Sequence, residues 1–442
     1  MSRRSLVACA LVMAAGVPAR AEIVDATSTT LLSGHADARD GQIYTVVPVY
    51  EMVSLLATDL SIPYVDDVRI ELSGWGQGVF GSPADNTNNC KFANASISDN
   101  ACVSGDLDLG NIQGKLLKRR VSFKLGRQFV TGGAARITQL DGLSLEAKVI
   151  GGLGLQAYGG VPVTPRFAES RGDAVGGGRL FYRFSVTSEV GLSTLYELGA
   201  GRLARDDLAI DGRYKVLPQL TFTGYALYSL YEMRIAEATA AATIRPVSIL
   251  DVTLDYRRVA PDLFLPRNSI LSVFSQETRD EAGLWVTFHP ITNLRIYGDY
   301  HLVSDDTGLG QRGGIKASYA FATWATLGGE GRFVQLPNNQ GYVETRLYGN
   351  GRFAERWTAT LNLSGVWLNQ DLNGRDWSYT ATATLGCELR PGWRAVITAM
   401  ADSGPFVDGR LEAMAKLVYN GSQRFHESTP TTPPAAQPEV KK

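Results

Sequence analysis

The sequence predicts an all-β fold, a transmembrane antiparallel up-and-down β-barrel of about 18–20 strands. Three observations lead to that prediction: long runs that alternate between apolar and polar residues, aromatic residues gathered at the ends of those runs, and connections that alternate between short turns and longer polar loops. A soluble β-sandwich can show any one of these features. All three together are typical of a sheet that closes inside a membrane.

The alternation is clearest in residues 357–368. One parity contains Trp357, Ala359, Leu361, Leu363 and Trp367, and the other contains Thr358, Thr360, Asn362 and Ser364. The same split occurs in 250–257, 294–302 and 410–419. Successive side chains of a strand point to opposite faces of its sheet, so a period of two predicts strands with one apolar and one polar face.

The ends of these runs carry the aromatic residues and the turn residues. The aromatic residues expected to form rings at the two membrane surfaces are Phe288, Tyr300, Phe321, Trp324, Phe353, Trp357, Trp377, Trp393 and Tyr419. Short turns are expected at Gly151-Gly152, Leu217-Pro218, Arg245-Pro246, His289-Pro290, Phe321-Ala322, Ala354-Glu355 and Arg390-Pro391-Gly392. Proline suits these positions because it presets a turn and has no N–H for a strand ladder.

The composition narrows the class of protein further. The chain has 442 residues, of which 44% are hydrophobic, 20% are charged and 47 are glycine, and its net charge is -1. Its mean hydropathy is -0.06 and its pI is near 6.5. A membrane-spanning helix needs about 18 or more consecutive apolar residues, and we find no such run beyond the N-terminus. The charge balance gives no indication of nucleic-acid binding.

Four segments follow from these patterns. Residues 1–21 are expected to be a cleaved signal peptide, with basic residues, an apolar run and an Ala19-Arg20-Ala21 cleavage signal. Residues 22–64 are expected to be an N-terminal lead, either inside the barrel or an extra strand, because Pro48 breaks the parity there. The barrel is expected over 65–420, and residues 421–442 to be a disordered periplasmic tail.

The expected export bears on how the cysteines are interpreted. Cys90 and Cys102 enclose a polar stretch, and an oxidising compartment would favour a disulfide between them. A zinc site is the alternative, but histidine is absent from that stretch of the sequence. Cys387 lies in a strand pattern and is expected to face lipid. We predict no cofactor and no metal.

The polar parity is too rich in charge to face lipid, where an arginine or lysine near the midplane costs about 2–4 kcal/mol. We therefore expect a wet lumen and a conduit for polar or anionic solutes; the alternative is that cross-strand charges only pair with one another. Residues 260–276 form the largest loop, which either folds inward as a constriction or packs on the rim. The residues predicted to line the lumen are Arg183, Asp251, Asp255, Arg257, Arg279, Glu281, Arg295, Asp299, His301, Lys316, Arg332, Glu344, Arg346, Arg394, Glu412 and Lys416.

One hairpin resembles a known family. Gly126-Arg127-Gln128-Phe129, then Gly132-Gly133, then a strand that begins Asp141-Gly142 are similar to a hairpin of bacterial outer-membrane porins of the alginate-export type. The resemblance implies a barrel that carries an anionic polysaccharide outward. It also implies that Arg127 and Asp141 lie near the mouth of the pore, although an ion pair that stabilises the hairpin fits them equally well.

The resulting expectation is a non-enzymatic, porin-like channel of the cell outer membrane that passes hydrophilic solutes or an exported polysaccharide. A structural barrel that anchors a secretion or envelope complex is the first alternative. An outer-membrane hydrolase is the second, since His301 beside Asp299 and Ser304 has the composition of a triad. The expected partners are outer-membrane lipid and lipopolysaccharide, the outer-membrane assembly machinery and periplasmic export components.

Overall fold

The computed structural model of the chain describes residues 23–39, 42–81, 97–98, 101–135, 138–163, 173–260, 263, 278–337 and 341–424. Nearly all of them lie in strands, because alternating apolar and polar residues suit a sheet with two different solvents on its faces. The strands are β1 Ile23–Arg39, β2 Gln42–Ile62, β3 Val65–Gly81, β4 Ile97–Ser98, β5 Ala101–Leu116, β6 Val121–Val130, β7 Thr138–Lys148, β8 Leu153–Val163, β9 Ala174–Ser185, β10 Ser188–Gly199, β11 Arg202–Leu217, β12 Leu220–Ser229, β13 Arg234–Val247, β14 Leu250–Val259, β15 Arg279–Ile291, β16 Leu294–Asp305, β17 Gly308–Ala322, β18 Ala325–Gln335, β19 Gly341–Phe353, β20 Trp357–Leu372, β21 Arg375–Arg390, β22 Trp393–Gly404 and β23 Val407–Arg424.

The strands form a closed antiparallel wall. Each wall strand pairs with the next one along the chain, β3 pairs directly with β5, and β1 pairs with β23 from Ile23↔Arg424 to Asp37↔Arg410. The two-residue strand β4 pairs only with the far end of β5, so the wall has 22 strands. Closure leaves no unpaired sheet edge, which hydrocarbon would penalise by several kcal/mol for each unsatisfied group.

The predicted fold class is confirmed, and the wall has 22 strands where about 18–20 were predicted. Of the two alternatives left open for residues 22–64, the structure agrees with the extra strand, since β1 and β2 are both wall strands; β23 continues to Arg424. Pro48 lies inside β2, and the register between β2 and β3 shifts between Ala57 and Leu60 and again before Ile62. These irregularities break the period of two and hide the strands from a parity argument.

The two ends of the barrel differ. At the end where β1 starts and β23 stops, the connections contain two to four residues, as at 186–187, 218–219 and 391–392. The longer connections, including 82–100, 131–137 and 260–278, all lie at the other end. We call these the short-turn end and the long-loop end. In outer-membrane barrels the short turns face the periplasm and the long loops face outward.

Three predicted turns need correction. Arg245-Pro246, His289-Pro290 and Phe321-Ala322 lie in the last residues of strands, and the turns themselves are at 248–249, 292–293 and 323–324. At each place the strand register shifts: between Ile244 and Val247, between Phe288 and Ile291, and between Ala320 and Ala322. At the first two places the irregular pairing tolerates a proline without a lost ladder hydrogen bond, which is why Pro246 and Pro290 resemble turn residues in the sequence.

The outer face of the wall is apolar and open to its surroundings. Its large side chains are 51% to 62% exposed at positions such as Leu192, Ile210, Leu254, Ile315, Leu347 and Ile397. Aromatic residues crowd both ends of this face: Trp393 and Tyr419 lie with ring centroids 4.9 Å apart near the short-turn end, and Trp377 and Tyr379 stack at 5.8 Å near the long-loop end. An apolar belt between two girdles of aromatic residues is typical of the outer surface of a membrane barrel.

Helices contribute little to the described part of the chain. None of the helices there is long and apolar enough to cross a membrane. A single helical turn, Gly133–Ala135, follows β6. It contributes to the buried apolar cluster of the structure, whose members are Val130, Ala134, Ala135, Leu140, Tyr158, Val175, Leu195, Ala209, Leu227 and Ala236.

Candidate functional site: the barrel lumen

The strand register places all sixteen predicted lumen residues on one face of the wall. Asp251, Asp255 and Arg257 alternate along β14 with the outward Leu254 and Tyr256, and they pair across to Thr287, Gly283 and Glu281. The same relation extends through β16–β19, where His301 pairs with Arg312. The inner-face members are Arg183, Asp251, Asp255, Arg257, Arg279, Glu281, Arg295, Asp299, His301, Lys316, Arg332, Glu344, Arg346, Arg394, Glu412 and Lys416.

An ion network spans the inner face of β9, β10 and β11. Arg179 Nη2 lies 2.7 Å from Glu189 Oε1, and Arg179 Nε donates to Asp211 Oδ1 at 3.0 Å. Arg183 Nη2 lies 2.6 Å from the other oxygen of Glu189. The Arg179 side chain is only 11% exposed, because Gly191 beside it leaves space that any Cβ would take from its guanidinium. Neither Arg179 nor Asp211 was among the residues predicted to line the lumen. Arg179 has the same parity as Arg183 on β9, and Asp211 lies on the same face from β11.

A second cluster surrounds His301 on β16. His301 Nε2 lies 3.2 Å from Asp255 Oδ1, and its ring packs edge-on against Trp285 with centroids 4.6 Å apart. Next to it, Glu281 accepts from two arginines, Arg279 at 2.6 Å and Arg312 at 3.0 Å. Charges of both signs are thus interleaved in this part of the wall, although Asp299 Oδ2 and His301 Nδ1 have no hydrogen-bond partner among the described residues.

This geometry does not support the hydrolase alternative. The His301 side chain is 0% exposed, so no substrate can reach its ring. The nucleophile considered with it, Ser304, has the opposite parity on β16 and pairs with the outward Asp280. A catalytic base must lie within hydrogen-bond reach of its nucleophile, and these two residues are on different faces of the wall.

The segment after β6 folds against the inner face and narrows the lumen near the long-loop end. The Ala134 N–H donates to Ser193 Oγ at 2.8 Å, and Ser193 Oγ in turn donates to the Ala209 carbonyl at 3.3 Å. Ala134, Leu195 and Leu227 are 2% exposed or less. We call residues 131–135 the inner loop. In the sequence this loop is marked only by Gly132-Gly133, whose positive φ angles of 98° and 56° form the bend.

The predicted constriction at 260–276 falls almost entirely outside the described residues. Leu263 is described and is partly buried against the same apolar cluster as the inner loop. Its N–H donates to the Ala260 carbonyl at 3.1 Å. The part of this loop that the structure describes therefore contacts the inside of the barrel.

Arg127 and Asp141 form a bidentate ion pair, with Nε to Oδ1 at 2.8 Å and Nη2 to Oδ2 at 2.9 Å. They are cross-strand partners on the hairpin β6–β7, in the same parity as the exposed Leu125 and Leu143. The register thus places this pair on the outer face near the long-loop end. Gln128 between them points inward and is completely buried.

One hairpin at the rim shows how the short loops are held. Asp305 Oδ1 accepts from the Thr307 hydroxyl at 2.6 Å, the Thr307 N–H at 2.9 Å and the Gly308 N–H at 3.2 Å. The hydrogen bond from the Thr307 hydroxyl is the main reason that the pKa of the Asp305 carboxyl lies below its ordinary value. The charged form of Asp305 therefore fixes the connection between β16 and β17.

The cysteine and metal predictions have different outcomes. Cys90 lies outside the described residues, so the disulfide with Cys102 stays a prediction. Cys387 is a free thiol whose register places it on the outer face beside Leu385. Within the described ranges, no group of three or more histidine, cysteine, aspartate or glutamate side chains is arranged to hold a metal ion.

The fold and its inner surface define a class: a closed antiparallel β-barrel with an apolar outer belt and a polar interior, which is the architecture of bacterial outer-membrane proteins. No family model and no curated protein matches the chain. Solved structures do match it at low identity.

OccK9 (OpdG) of Pseudomonas aeruginosa is 12% identical, covers 91% of this chain and 98% of its own, and has a TM-score of 0.44. The translocation pore of the P pilus usher PapC is 10% identical over 90% of this chain and 99% of its own, with a TM-score of 0.43. For OccAB4 of Acinetobacter baumannii the values are 9%, 92%, 99% and 0.39. At these identities and scores the likeness carries no assignment of ligand or cargo.

Proposed function

We propose that the protein is an outer-membrane channel that lets hydrophilic solutes pass through its lumen without chemical change. The observation that supports this most directly is the closed wall of 22 strands with a polar inner face. Strands about 4.8 Å apart and tilted by about 40° give a barrel roughly 40 Å across between opposite walls. Side chains alone cannot fill that width, so water occupies what the inner loop leaves open.

The mixed charge of the inner face supports a channel of weak ion selectivity. The ion network on β9–β11 and the cluster around His301 pair most of their charges within the wall. Transport of an exported polysaccharide is the finer proposal, and it is supported by the resemblance of the β6–β7 hairpin. Lipid, lipopolysaccharide and the outer-membrane assembly machinery are the partners that such a barrel needs.

Single-channel recording tests this function. The purified protein, inserted in a planar bilayer in potassium chloride, should give discrete conductance steps, and its reversal potential in a salt gradient should be small. A protein that stays soluble without detergent, or that inserts and never conducts, would exclude a channel. In the second case a structural barrel that anchors other envelope proteins would account for the fold.

A further inference from the structure

On β18–β22, two neighbouring rows of inner-face residues contain no formally charged side chain. Consecutive members are direct cross-strand partners, so each lies about 4.5–5.5 Å from the next. The first row is Thr326, Asn350, Thr360, Thr384 and Thr398, and the second is Gly328, Tyr348, Asn362, Thr382 and Met400. We call these two rows the hydroxyl band.

Most groups of the hydroxyl band are free to bind a solute. Thr384 and Thr398 share a hydrogen bond at 3.0 Å, and Asn362 Oδ1 accepts from Arg346 Nε at 2.7 Å. Within the described residues, the hydroxyls of Thr360 and Thr382 have no protein partner, and both side chains are at least partly exposed to the lumen. Each such hydroxyl can donate one hydrogen bond and accept others.

Tyr348 adds an aromatic surface to the second row. Its ring lies over Gly328, where any Cβ would collide with it, so the missing side chain creates the place for the ring. Lys316 Nζ lies 5.2 Å and Arg346 Cζ 5.5 Å from the ring centroid. Both cations lie over the ring and hold it by cation–π contacts, and the register places the ring beside Asn362 in the row.

The hydroxyl band lies opposite the ion network of β9–β11. From β10, which carries Glu189 and Ser193 under the inner loop, β21 is eleven steps around the 22-strand wall in either direction. The inner loop and the ion network therefore occupy one side, and the uncharged rows face the space that they leave open. A solute that passes the inner loop can therefore contact the hydroxyl band.

From this arrangement we infer that the hydroxyl band is a binding surface for an uncharged saccharide. The inference rests on the proposed channel function and names its solute class. Sugar hydroxyls both donate and accept, as threonine hydroxyls and the asparagine amide do, and the C–H face of a pyranose packs on an aromatic ring. A row of equivalent groups spaced along the wall lets successive sugar units exchange partners without a deep energy minimum.

Block of the single-channel current by a linear six-residue glucose oligomer tests the inference. The double variant Thr360→Val and Thr382→Val keeps side-chain shape but removes two hydroxyls, and should weaken the binding constant for block by about 3- to 10-fold. Tyr348→Leu should weaken it by about fivefold. The conductance in potassium chloride should not change, because the valines occupy the same volume.

The matched control is Thr221→Val with Thr223→Val, two inner-face positions on β12 across the lumen. This control should leave the sugar block unchanged. Conductance without any block by the glucose oligomer would overturn the inference and leave the channel intact, whereas absence of conductance would overturn the channel itself. Tighter block by a uronate oligomer of equal length, insensitive to the valine variants, would show that Lys316 and Arg346 hold an anion instead, and the inference would be wrong.

Discussion

Arginine has three different roles at single positions of this barrel. Arg127 faces outward and joins two strands of one hairpin through Asp141. Arg179 faces inward and is shared by carboxylates from two neighbouring strands. Arg346 also faces inward, but its hydrogen-bond partner is the amide of Asn362, so its positive charge is not cancelled by that contact. The face and the position of an arginine thus decide its role. It stabilises a hairpin, it links neighbouring strands through an ion network, or it adds positive charge to the lumen.

Replacing Arg179 by glutamine should make the channel more cation-selective. The change leaves Asp211 on the inner face without its arginine and leaves Glu189 paired with Arg183 alone. Removing one partner of a partly buried ion network costs about 3 kcal/mol of stability. The reversal potential in a potassium chloride gradient measures the selectivity, and the temperature at which the folded barrel loses its compact gel mobility measures stability.

Arg127→Gln serves as the control, because that guanidinium has the outward parity and does not line the conduction path. It should lower the stability of the β6–β7 hairpin without a change in reversal potential. An equal shift of reversal potential in both variants would contradict the assignment of the two faces.

At the scale of the elements, period-two alternation was sufficient where the strand is regular. For β14, β16, β20 and β23 the parity read from the sequence is the parity of the structure. It failed where strands are bulged, as in β2, because a single extra residue reverses which parity faces oil. The inner loop could not be predicted, since its short run of glycine and alanine is stabilised by contacts with β10 and β11, far away in sequence.

The inner loop should leave the wall when a charge is placed in its buried side. Ala134→Asp introduces a carboxylate at a position that is 2% exposed, and burying an unpaired charge costs several kcal/mol. The loop should then move into the lumen water, and the single-channel conductance should change together with an increase in current noise. A protease that cuts the intact protein at 131–135 only in the variant would report the same release.

Thr187→Asp provides a matched control, because it places the same charge in an exposed turn at the short-turn end. Its conductance and noise should equal those of the unchanged protein. If Ala134→Asp behaves in the same way as this control, the inner loop is not held by the apolar cluster.

At the scale of the whole molecule, the fold depends on pairing the first strand with the last. All other wall pairings join strands that follow one another in the sequence, except that β3 pairs with β5 because the two-residue strand β4 is not part of the wall. The pairing of β1 with β23 converts a long meander into a closed wall. The loop that this pairing closes contains almost the entire chain, so its entropy cost is the largest of all the strand pairings. Closure of this kind also makes the total even, so that both ends of the wall chain lie at the short-turn end.

An engineered disulfide between β1 and β23 tests that closure. Thr29 pairs with Val418 and Thr30 with Leu417. Antiparallel partners alternate between hydrogen-bonded and non-hydrogen-bonded pairs, and the closer spacing of the second kind suits a disulfide, so one of these two cysteine pairs should oxidise readily. The product is a covalent ring of nearly the whole chain, which a denaturing gel without reductant resolves from the linear form. Thr29→Cys combined with Glu412→Cys, six residues out of register, is the control and should stay reduced. If neither in-register pair forms the ring in folded protein, β1 does not close the barrel, and residues 23–62 lie elsewhere than in the wall.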